Sequence, residues 1–137
     1  MKKLFFTFLF CMIGFVGVAK DAIDDKAIYC LAEEKWQQGF HKAGERMFLF
    51  RDVLVYEIFV TKTDEPNPVS TKGFPYKLNL DSIRFENHML MRKTLTLYVP
   101  TGMVMNCEVF NDGMKGLSPK IHMIIERYKA EAKKNKL

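Results

Sequence analysis

Motifs that mark catalysis are scarce in this 137-residue chain. It holds no nucleotide-binding glycine loop, no paired CxxC and no HExxH. Histidine occurs only at His41, His88 and His122, far apart and in no shared motif. Each reads as a surface or turn histidine, since a metal site built from them would need tertiary proximity. Ser70, Ser82 and Ser118 stand in none of the contexts that mark a nucleophile. The acids are dispersed, which leaves carboxylate-pair hydrolysis unsupported. These absences point away from an enzyme and call for no cofactor and no metal. No repeat is visible, and the length allows one domain at most. The longest apolar run, residues 4–18, is about 15 residues long, short of the roughly 17–25 that span a bilayer.

What that run does resemble is an export signal. Lys2 and Lys3 supply a positive start, residues 4–18 an apolar middle with five phenylalanines, and Gly17 and Ala19 the small residues of a cleavage site. Cys11 follows Phe10 in mid-run, which is no context for lipidation. Residues 1–19 therefore read as a signal peptide, residues 20–137 as one domain, and the protein as periplasmic or secreted. Cleavage leaves 118 residues and removes Lys2 and Lys3, so the net charge falls from +5 to +3. It leaves two of the three cysteines, Cys30 and Cys107. An even pair in an exported chain implies a disulfide, expected to be buried.

The body reads as antiparallel sheet. An apolar run at 27–32 holds Cys30, and residues 33–45 read as a loop, with a short helix over 31–38 as the alternative. Residues 46–62 are rich in β-branched and aromatic side chains, either turning at Arg51-Asp52 or running on as one bent strand. Pro66 and Pro68 break the pattern, and 63–75 reads as a loop. Leu78 and Leu80, then Ile83 and Phe85, alternate with polar residues up to a turn at Asn87-His88. A strand over 89–99, a turn at Pro100-Thr101-Gly102 and a strand over 103–110 follow, the last with Met103, Met105, Cys107 and Val109 on one face. The expected fold is mostly β: a small antiparallel barrel or sandwich of about six strands with a C-terminal helix.

The tail differs. Ser118-Pro119 reads as a helix start, and Ile121, Ile124, Ile125, Tyr128 and Ala132 form an apolar stripe at helical spacing over 118–134. Residues 115–137 carry seven Lys or Arg against two acids, whereas 20–114 carry twelve against fourteen. An amphipathic basic helix packs on the sheet with its lysines in water, and Lys129, Lys133, Lys134 and Lys136 are its candidates for weak contact with an anionic surface. Export removes nucleic acid as a partner. Met89 and Met91, like Met103 and Met105, lie two apart on single strand faces, as core methionines do.

Two resemblances follow from particular residues. The order Ile28-Tyr29-Cys30, then Arg92-Lys93-Thr94-Leu95-Thr96-Leu97, then Asn106-Cys107-Glu108-Val109 behind a signal peptide resembles small uncharacterised secreted single-disulfide proteins of marine proteobacteria. That likeness brings no activity with it. Thr71-Lys72-Gly73 is similar to the end of the YxxxTKG motif of C-type lysozyme inhibitors, periplasmic β-barrels that insert a loop into the lysozyme cleft. Asn67 stands where that motif has tyrosine, and their SGxxY is absent. The expected function is a non-enzymatic binding domain for an envelope component or a protein partner. The alternative is a carrier holding a small apolar ligand in the barrel.

Overall fold

A strand shows successive side chains to opposite faces, so apolar residues at every second position bury one face of a sheet. Here several strands carry apolar residues on both faces, which calls for a second layer. The computed structural model describes residues 23–33 and 44–134; the expected signal peptide, His41, Lys136 and most of the 33–45 segment lie outside them. Within these residues the chain forms β1 (Ala27–Ala32), β2 (Glu45–Arg51), β3 (Leu54–Val60), β4 (Pro68–Ser70), β5 (Phe74–Pro75), β6 (Lys77–Leu78), β7 (Ser82–Phe85), β8 (His88–Met91), β9 (Thr96–Tyr98), β10 (Val104–Phe110) and α1 (Met114–Lys134).

All pairings are antiparallel, in the order β4-β3-β2-β1-β10-β9-β8-β7-β6. Two meanders thus meet along β1 and β10, and the sheet curls into a half-barrel. β5 pairs β3 through Leu54 with Pro75 and Val55 with Phe74, while β6 pairs β7. The chain therefore crosses at Tyr76 from one flank of the curl to the other. The inner face buries Ile28, Cys30, Phe48, Phe50, Val55, Ile83, Phe85, Leu90, Leu97 and Met105. The rings of Phe48, Phe50, Tyr76 and Phe85 meet edge to face, with centroids 5.2–5.8 Å apart. The outer face of β1, β2 and β3 buries Ala27, Tyr29, Met47, Leu49, Ile58 and Val60 under Leu117, Ile121 and Ile124 of α1. Of the expected stripe, Ile121 and Ile124 are buried there, and Ile125 and Tyr128 pack partly against the cluster.

Cys30 and Cys107 are bonded to each other. They are register partners across β1 and β10, with Cα atoms 4.0 Å apart. First and last strands are thus stapled at the seam of the two meanders. Cys30 is buried but Cys107 is only half-buried, so the bridge is more open than expected.

The expected six strands become ten for local reasons. Residues 89–99 form a hairpin rather than one strand: Leu95 takes φ 57° and its N–H donates to the Met91 carbonyl at 2.9 Å, closing a turn over 92–95. The expected loop at 63–75 contains β4 and β5, which add to the edge of β3. The turns also shift by a residue, from Arg51-Asp52 to Asp52-Val53 and from Asn87-His88 to Glu86-Asn87. Both central residues of each have positive φ, as twisted two-residue hairpins favour.

The helix begins at Met114, not at Ser118, and Pro119 lies inside it. Gly113, at φ 62°, opens the helix, and its carbonyl accepts from Leu117 N–H at 3.1 Å. Gly116 is needed for space: a Cβ there would run into Asp112 Oδ1 and lie 2.8 Å from Phe110 Cβ. Among the described residues no helix is long and apolar enough to cross a membrane.

Candidate functional site

Two inward positions break the apolar alternation. Arg46 shares its parity on β2 with Phe48 and Phe50, and Glu57 shares its parity on β3 with Val55. Arg46 grips Glu57 with two bonds, Nε to Oε2 at 2.8 Å and Nη2 to Oε1 at 2.7 Å. Its Nη1 lies 2.7 Å from Nε2 of His88, at the start of β8 on the opposite flank. Arg46 can only donate, so Nε2 accepts; the proton then sits on Nδ1, 2.9 Å from the Glu86 carbonyl. His88 also stacks on Phe85, with centroids 5.1 Å apart. Burial, and then the Arg46 charge, hold its imidazole below the ordinary value. This neutral histidine is 9% exposed, which corrects the reading of it as a surface or turn residue. Both ring nitrogens are engaged, so the trio acts as a polar tie across the curl, with no free base in it.

The tie borders two open clefts. One, of about 620 Å³, is lined by Pro75, Tyr76, Lys77, the 84–87 segment, His88 and Met89. The other, of about 350 Å³, is lined by Glu45, Arg46, Glu57, Phe59, Val99, Thr101 and Met103. A smaller hollow of about 190 Å³ opens between Ile23, Ile83, Leu90, Leu95 and Val109, with Lys26 and Arg92 at its edge.

A second polar cluster docks the helix on the outer face. Arg127 Nη1 donates to Glu45 Oε1 at 2.6 Å and Nη2 to Oε2 at 3.3 Å, while the Tyr29 hydroxyl donates to Glu45 Oε2. Lys120 Nζ lies 4.7 Å from the centroid of the Tyr29 ring. Burial and the adjoining carboxylate push the Tyr29 phenol above its usual value. For Glu45 burial acts upward, but the bonds from Arg127 and Tyr29 outweigh it and hold the carboxyl low.

The residues singled out in the sequence lie elsewhere. Lys129 is 3.7 Å from Glu126, and Lys133 and Lys134 are exposed in the last turn of α1, away from both clefts. Met103 and Met105 face inward as expected. Met89 and Met91 do not: they occupy the outer side of β8, opposite in parity to buried Leu90, and are half-buried. Their register neighbours on β9 are Tyr98 and Thr96. Thr71-Lys72-Gly73 joins β4 to β5. Thr71 Oγ1 accepts from Glu57 N–H at 3.0 Å and Gly73 lies against Tyr56, leaving Lys72 exposed beside Phe74. The cleft residues Lys77 and Arg84 were missed, because on two short strands they read as ordinary outward polar positions. Among the described residues no group of three or more His, Cys, Asp or Glu could hold a metal ion. Comparison with protein-family models, with curated proteins and with solved structures returns no match.

Proposed function

We propose that this is an exported, non-enzymatic binding domain that engages an envelope component or a protein partner through its outer surface. The observation that carries the reading is the filled curl: Ile28, Phe50, Ile83, Leu90, Leu97 and Met105 are each at most 2% exposed. With the Arg46–His88 tie above them, they leave the clefts and the outer strands as the surfaces available for recognition. The Cys30–Cys107 bond fits an oxidising compartment. The carrier alternative has one feature on its side, the apolar hollow beside Leu95. At about 190 Å³ it falls below the roughly 300–1,000 Å³ of small-molecule sites. Capture of partners from the protein's own envelope fraction by immobilised residues 20–137 tests the reading. A saturable partner displaced by free protein is expected. Absence of any such partner, together with one-to-one binding of a fluorescent fatty acid, would favour the carrier.

A further inference from the structure

Lys77 and Arg84 stand directly opposite each other across β6 and β7, and both are exposed. Like charges in that position repel and weaken a sheet. β6 is only two residues long, so this pair is half of its ladder. Some cations have acids beside them, as Arg46 has Glu57, Arg127 has Glu45 and Lys120 has Glu108. Neither Lys77 nor Arg84 has a carboxylate within ion-pair distance among the described residues. Both line the cleft of about 620 Å³, whose volume is that of a small-molecule site. Pro75 and Met89 add apolar wall, Asn87 a polar side chain, and Glu86 a negative edge.

We propose that this cleft binds a phosphate-bearing ligand, with Lys77 and Arg84 as its two cationic contacts. A phosphate monoester carries up to two charges and three acceptor oxygens, enough to bridge both side chains. Arg84 offers a planar fork for two of those oxygens and Lys77 a point charge for the third. The bound anion turns a repulsive cross-strand pair into a bridged one. Glu86 also lines the cleft, and the Pro75 and Met89 wall accepts the organic part. This deepens the binding reading by naming the chemistry of the envelope component.

The test uses isotope-labelled residues 20–137 with glycerol 1-phosphate as probe. Saturable backbone shifts confined to residues 75–77 and 84–89 are expected. In a Lys77→Gln, Arg84→Gln double variant the affinity is expected to fall by about tenfold or more, the scale of losing charge-assisted bonds. That variant removes repulsion, so its melting midpoint is expected to match or exceed the wild type, which separates lost binding from lost fold. Sedimentation with phosphatidic acid against phosphatidylcholine vesicles assigns the source. Co-sedimentation lost in the double variant means a lipid headgroup; shifts without co-sedimentation mean a soluble phosphate. No saturable shift, shifts centred on the lysines of α1, or unchanged affinity in the double variant would overturn the proposal. An envelope partner still captured by the double variant would leave the binding reading standing without this site.

Discussion

Arg46 decides how the two flanks of the curl hold together above the crossing at Tyr76, because its one guanidinium serves both Glu57 and His88. Arg46→Ala leaves a part-buried carboxylate and an imidazole without their donor, and a loss of about 1–3 kcal/mol is expected in urea denaturation. His88 adds a pH dependence. Its folded value lies below the ordinary 6.5, so between the two values the unfolded chain binds more protons. Stability is then whole above about pH 6.5 and falls as pH drops through that window. His88→Gln is expected to flatten this limb. Glu45, held low, loses its contribution only below its ordinary value of 4.5, so the two limbs separate in a pH series of melting points. Arg46 and Glu57 were legible in principle as charges at inward parity; the pairing with His88 was not, since 42 residues separate it from Arg46.

Strands and helix were legible where periodicity is unopposed. The stripe at Ile121 and Ile124 identifies the packed face of α1, and Ile124, 3% exposed, sits in it. Ile124→Asp is expected to lower stability by about 2–4 kcal/mol, the scale for removing a buried aliphatic and burying a charge. Replacing Lys133 and Lys134 by Ala should leave it nearly unchanged. The helix start was not legible, because Ser118-Pro119 reads as a cap and start. Gly116→Ala tests the tight contact that governs this turn, and a lower melting point is expected from the clash with Phe110 and Asp112. The β8–β9 turn was hidden because residues 92–95 contain no Gly, Pro, Asn or Asp, the usual turn residues. Leu95 enters the left-handed region there in spite of its side chain.

At the scale of the whole molecule, the seam between β1 and β10 joins residues 77 positions apart and is locked by Cys30–Cys107. Constraining so long a loop in the unfolded chain contributes up to roughly 4.5 kcal/mol, a large share of the 5–15 kcal/mol typical of a domain. Cys30→Ser is therefore expected to lower the melting temperature markedly. Pairing of the two cysteines was legible from the expected export and an even count. Their direct opposition in neighbouring strands was not, because it depends on the two meanders meeting at β1 and β10. The proposed reading is of an exported chain, closed at that seam, that binds with its outer surface. Intact mass spectrometry of the protein from its source cells under non-reducing conditions tests it most directly. The expected species begins at or near Lys20 and is lighter by two hydrogens than its reduced form, with no titratable thiol. A species beginning at Met1 with free Cys30 and Cys107 would contradict it.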